Sequence, residues 1–111
     1  MVVVDCAGKV IEEDLAPSID TITHHYIFNL RTDFFRDCHT HCKHVFVFSA
    51  LKKQIPVVMT ASAMFRGEVP VGDFCCIGSD KIGEEIVRKI GNKREIIMST
   101  HGIFLIGKDG S

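Results

Sequence analysis

The sequence has no basic run. Its 13 lysines and arginines stand against 14 aspartates and glutamates, for a formal charge of −1. Phosphate backbones are gripped by concentrated Lys and Arg, so this balance argues against nucleic acid as the main partner. Long apolar runs are missing too. No stretch approaches the length of a membrane span, and Met1-Val-Val-Val is cut at once by Asp5, too soon for a signal-peptide core. Internal repeats and low-complexity segments are absent. Cysteine is not scarce, but its count is odd: five, two of them adjacent at Cys75-Cys76. The expectation is a cytoplasmic chain with reduced thiols, in which Cys75-Cys76 is a buried small-apolar pair. With 111 residues, 46% of them hydrophobic, the chain can build one small core and not two, so a single domain is expected over 1–111.

The stretch with the most chemistry is Cys38-His39-Thr40-His41-Cys42. In an extended strand, residues two apart share a face, so His39 and His41 present their imidazoles side by side with Thr40 turned away. A second histidine, His101 in Ser99-Thr100-His101-Gly102, stands at another strand end and can close the set. Three neutral imidazoles with one open position suit a catalytic divalent metal, zinc first. Two plainer readings stand beside this. His39 and His41 can be strand residues with local hydrogen bonds, or Cys38 and Cys42 can join them in a structural zinc cluster. The second requires Cys38 to share a face with His39, against the strand period.

Along the chain, Val2 to Val4 and Val10-Ile11 read as short strands around Gly8-Lys9, and Glu12-Glu13-Asp14 as a solvated loop. Pro17-Ser18 opens a helix with Ser18 as N-cap and Asp20 in the first turn, and Ile22, Tyr26, Ile27 and Leu30 form its apolar face. His24 is expected to hydrogen-bond near the site, and His25 and His44 to lie on the surface. Phe34 to His41 is a strand that Arg36-Asp37 interrupts. Val45, Phe46, Ser49 and Ala50 mark a short helix, Thr60 to Gly67 an irregular connection, and Pro56–Met59 and Glu68–Val71 extended segments. Asp80 caps a helix with the stripe Ile82, Ile86, Val87 and Ile90, and Gly91 stops it. Glu95–Met98 and Ile103–Ile106 are strands, and Gly107–Gly110 is a turn. Some strand links are very short, which forces antiparallel neighbours and points to a mixed sheet with helices packed on it.

The order of these pieces resembles the class II aldolase/adducin family. The resemblance rests on Met1-Val-Val-Val-Asp5, Gly8-Lys9-Val10, Pro17-Ser-Ile-Asp-Thr21, Thr23-His24, His39-Thr-His41, and His101-Gly-Ile-Phe104 followed by Gly107-Lys108. Within the family, Asp20 followed by Thr21 is similar to the L-ribulose-5-phosphate 4-epimerase branch, where the aldolases usually carry Glu. The resemblance implies a three-layer α/β/α fold with a mixed, largely antiparallel sheet. It implies Zn2+, or another divalent cation, on His39, His41 and His101, with Asp20 as the acid/base residue and Ser18 in the phosphate pocket. It implies a sugar-phosphate substrate and a homotetramer. The metal would polarise the substrate's oxygens as a Lewis acid and stabilise an ene-diolate during carbon–carbon cleavage and re-formation. Ile19 replaces a phosphate-binding serine, Met64 replaces an aspartate of the epimerases, and the family domain extends beyond both ends of this chain.

Two functions follow. The first is a metal-dependent sugar-phosphate epimerase or aldolase. The second is a truncated, catalytically inactive relative with a binding or assembly role.

Overall fold

The computed structural model describes residues 1–12 and 14–108; Glu13 of the acidic loop and Asp109-Gly110 of the C-terminal turn lie outside the described residues. Strand β1 (Val3–Val4) pairs antiparallel with β2 (Val10–Glu12). Their link is tightened by Asp5, whose Oδ1 accepts the N–H groups of Ala7 and Lys9, both at 2.9 Å. Gly8 supplies the positive φ of 79° that the turn needs.

Helix α1 spans Thr21–Leu30, so it begins later than Pro17-Ser18 implies. Ser18 is not its N-cap. That position belongs to Asp20, whose carboxylate makes no cap bond, while Ser18 Oγ accepts the Asp20 N–H at 3.2 Å. The buried face is also rotated from the expected one. Thr23 and Ile27 are buried, whereas Ile22 and Leu30 are exposed. Strand β3 (Arg36–Thr40) leads into helix α2 (Lys43–Leu51). Thr60–Phe65 forms a 3-10 helix where an irregular connection was expected. Pro56–Met59 forms no strand, and Ile55 makes a single bridge to Val69. Strand β4 (Val71–Gly72), helix α3 (Lys81–Ile90) and strands β5 (Glu95–Met98) and β6 (Ile103–Gly107) complete the described chain. Helix α3 follows its sequence closely: Ile82, Ile86 and Ile90 are buried, and Gly91 takes φ 55° at its C-terminal end.

The main sheet has the order β3-β6-β5-β4. β3 pairs with β6 and β6 with β5 antiparallel, while β4 and β5 run parallel. Period-two alternation then divides the sheet's side chains between two cores. Ile96, Met98, Phe104 and Ile106 meet Ile27 of α1 and the isoleucines of α3. Ile97, Ile103 and Leu105 meet Val45 and Phe48 of α2. The result is a three-layer α/β/α arrangement with a mixed sheet. Each fully buried isoleucine contributes about 1.5–3 kcal/mol of transfer free energy. Among the described residues, no helix is long and apolar enough to cross a membrane.

Two smaller expectations change. His25 is half-buried, its Nε2 hydrogen-bonded at 2.7 Å to the Cys6 carbonyl. Only Cys75 of the vicinal pair packs against the core; Cys76 is exposed.

Candidate metal centre

Along β3, Arg36, Cys38 and Thr40 are exposed while Asp37 and His39 turn inward. What read as an interruption of an apolar strand is therefore one polar residue out and one polar residue in. His39 lies flat against Phe104 of β6, with ring centroids 4.1 Å apart and planes at 18°. Its Nδ1 donates to the Ile103 carbonyl at 3.1 Å. A carbonyl can only accept, so the proton sits on Nδ1 and the neutral ring keeps its lone pair on Nε2. That Nε2 faces His41 Nε2 at 2.9 Å.

His101 arrives from the β5–β6 connection. It stacks on His39 with centroids 4.7 Å apart and planes at 6°, and meets His41 edge-on at 5.2 Å. One ligand nitrogen from each of the three rings lies within 4.8 Å of the others. Cys38 and Cys42 stand outside this group with exposed thiols, so the structural-cluster alternative gains no support. Burial is the main cause that holds the His39 and His101 pKa values below the ordinary imidazole value. Neutral rings are the form that ligates metals.

The backbone under His101 is strained to deliver it. Thr100 has φ 57°, a left-handed conformation that costs a β-branched residue about 1–2 kcal/mol. Ser49 of α2, fully buried, clamps this hairpin. Its Oγ donates to the Met98 carbonyl at 2.7 Å and accepts the His101 N–H at 3.2 Å. Gly102 allows the rings to close together. A Cβ there would lie 2.7 Å from His39 Cε1, from His41 Cδ2 and from the Thr40 carbonyl oxygen.

Asp20 comes to the same place from the start of α1. Its Oδ1 is buried 3.9 Å from His101 Nε2, likewise buried, and neither atom has a hydrogen-bond partner among the described residues. A buried ring nitrogen and a buried carboxylate oxygen left in this way suit a cation held between side chains. The residues present thus fit a divalent ion on His39, His41 and His101, with Asp20 beside it. Ser18 is exposed two residues before Asp20, and its hydroxyl oxygen is already engaged by the Asp20 N–H.

Several site residues had no role in the sequence reading. Asp37 Oδ2 accepts from His24 Nδ1 at 2.7 Å, and the Asp37 side chain is only 6% exposed. This hydrogen bond is the largest cause raising the His24 pKa above its ordinary value, with burial opposing it. The His24 ring lies 5.8 Å from Phe104, on which His39 also rests. The expectation that His24 hydrogen-bonds near the site is met. Ser49 appeared in the sequence only as a polar residue on an apolar helix face, and that mismatch was the available signal.

The sequence profile of the class II aldolase and adducin N-terminal domain matches residues 1–110. The chain belongs to the class II aldolase and adducin family. Solved structures share the fold. An L-fuculose 1-phosphate aldolase superposes with a TM-score of 0.90 at 22% identity, over 97% of this chain and 51% of its own. An aldolase II superfamily protein from Pseudomonas syringae gives 0.78 at 23% identity, over 96% of this chain and 44% of its own. A sugar-phosphate aldolase from Thermotoga maritima gives 0.74 at 20% identity, over 90% and 48%. The chain spans about half the length of these structures.

Proposed function

We propose that this chain is the metal-binding core of a sugar-phosphate aldolase or 4-epimerase, forming a single partial class II aldolase/epimerase-like domain over 1–111. The observation that carries the reading is the meeting of three imidazoles with the unpartnered carboxylate oxygen of Asp20. His39, His41 and His101 would hold the ion, zinc being the first candidate for an all-imidazole set. When bound, a divalent cation supplies Lewis-acid polarisation of a ketose's hydroxyl and carbonyl oxygens.

The chain's own groups do the rest. The Ile103 carbonyl fixes the His39 tautomer, and Ser49 holds the hairpin that presents His101. Asp20 exchanges a proton with the substrate at its Oδ1, which has no hydrogen-bond partner among the described residues. Ser18 keeps its hydroxyl hydrogen to donate to a substrate phosphate. Asp20-Thr21 favours the L-ribulose-5-phosphate 4-epimerase branch over the aldolases through the resemblance. A homo-oligomer, a tetramer by the same resemblance, would complete the substrate pocket.

Two measurements test this. Elemental analysis of the purified protein is expected to find close to stoichiometric zinc or a similar ion, and His39→Ala is expected to lose it. The metal-loaded protein is expected to epimerise L-ribulose 5-phosphate or to cleave a ketose phosphate. Metal binding without either reaction would support the inactive relative; metal content equal in wild type and His39→Ala would sink the site itself.

A further inference from the structure

The sheet has a second polar site at its other end. β3 and β6 pair Thr40 with Ile103 beside the histidines and Arg36 with Gly107 at the far edge. Four strand steps put these ends on the order of 13 Å apart. At the far edge a cleft of about 110 Å³ is lined by Arg31, Arg66, Lys93, Arg94 and Lys108, with Asp33 the single carboxylate among the described residues. This local excess of positive charge occurs in a chain whose formal charge is −1.

The cleft is built rather than incidental. Arg31 is held by Asp33 through two bonds of 2.6 and 2.8 Å and by the Gly91 carbonyl at 3.2 Å. Its side chain is 19% exposed and its guanidinium lies over the Phe34 ring. Arg31 holds the Asp33 carboxyl down to about 2, so this one anion is ionised and already committed. Arg66 adopts a left-handed φ of 59° without being glycine, and its carbonyl accepts from Lys93 Nζ. Arg66 Nη1 also donates to the Asn92 carbonyl at 3.3 Å. Strain of this kind persists where surrounding contacts over-determine it, and it often marks a binding site. The side chains of Arg94 and Lys108 make no hydrogen bond or ion pair among the described residues. Glu95 follows Arg94 in the chain, and burial pushes its pKa up, so it is a poor counter-charge for that guanidinium.

We propose that this cleft binds the phosphate group of a small molecule, at a site separate from the histidine cluster. Guanidinium forks and ammonium groups at close quarters are the recognition chemistry of phosphate. The cleft is open to solvent and has room for a tetrahedral oxyanion head. The remainder of the ligand projects into solvent. This inference stands independently of the metal reading.

The test is calorimetric and 31P NMR titration of the zinc-supplemented protein with inorganic phosphate and, in parallel, glycerol 3-phosphate at constant ionic strength. Saturable binding is expected, with a component of one equivalent per chain that depends on Arg94. Arg94→Glu is expected to weaken it about tenfold or more, as the loss of a charge-assisted contact implies. Lys108→Glu is the second variant should Arg94→Glu misfold. Ser18→Ala and His39→Ala are expected to keep this binding. Tighter binding of glycerol 3-phosphate assigns the cleft to phosphate esters, and tighter binding of inorganic phosphate to the free ion; both support the site. Absence of saturation, equal competition by chloride, or loss with Ser18→Ala but not with Arg94→Glu overturns it.

Discussion

Replacing Gly102 by alanine adds one methyl group at the point where the three histidines converge. Its Cβ would stand 2.7 Å from a carbon of His39, from a carbon of His41 and from the Thr40 carbonyl oxygen. Carbon atoms rest at about 3.5–4.0 Å, so each neighbour would have to retreat by more than half an ångström. Gly102 is not among the glycines with positive φ, so alanine is not excluded by backbone conformation. The penalty is steric. Two of the contacted atoms belong to candidate ligand rings, and the third is backbone of β3 and cannot swing aside. Forcing a group into a packed site costs about 1–3 kcal/mol. At about 4–8 °C per kcal/mol for a small domain, thermal melting should register it. Metal affinity should suffer more. Loss of one supporting contact typically costs about 10–100-fold, and here two ligand rings move together, so about 100-fold or more is expected. Zinc competition against a chromophoric chelator reads the affinity, and melting of the metal-stripped protein reads the packing term separately. Wild-type zinc affinity in a folded Gly102→Ala protein would refute the reasoning, because the rings could not then be as close as they are here.

Ser49→Ala removes the two hydroxyl bonds of the clamp, while the His101 N–H keeps its direct bond to the Met98 carbonyl at 3.1 Å, so a loss of about 0.5–1.5 kcal/mol is expected with roughly tenfold weaker zinc binding; unchanged binding would show that Thr100 and His101 hold their positions unaided. Asp37→Asn removes the group that raises the His24 pKa above 6.5. The stabilisation from that pair is complete below the unfolded-state value and fades as pH rises through the higher folded-state value. The stability gap between wild type and variant, measured by urea unfolding, should therefore be largest in mild acid and shrink in alkali; a gap independent of pH would deny the charged pair. His39 and His101 have depressed values and act with the opposite sign, losing stability as pH falls, but they do so in both proteins and cancel in the difference. Gly83→Ala should loosen α1 against α3, since a Cβ there meets Tyr26 Cδ1 at 2.8 Å. A loss of about 1–3 kcal/mol is expected with zinc affinity nearly unchanged, and a stabilised variant would contradict the packing.

Local periodicity carried much of this fold. The stripe on α3 is an interval of four residues between isoleucines, and its burial follows from helix geometry alone. The pairing of His39 with His41 follows from the two-residue period of an extended chain, because both terms are set within three residues. His101 was offered by its place at a second strand end, and the family resemblance gave Asp20 its acid/base role. Sequence could not supply contacts made across the layers. The rotated face of α1 follows from its seat against α3, where Gly83 admits Tyr26. Asp37 looked like a flaw in an apolar strand until α1 brought His24 to it. Ser49 became a clamp, and Gly102 a necessity, only when β3, α2 and the β5–β6 hairpin met in space. A pattern along one chain specifies which way a side chain faces. Which partner waits there depends on the packing of distant segments, and that is where this site was decided.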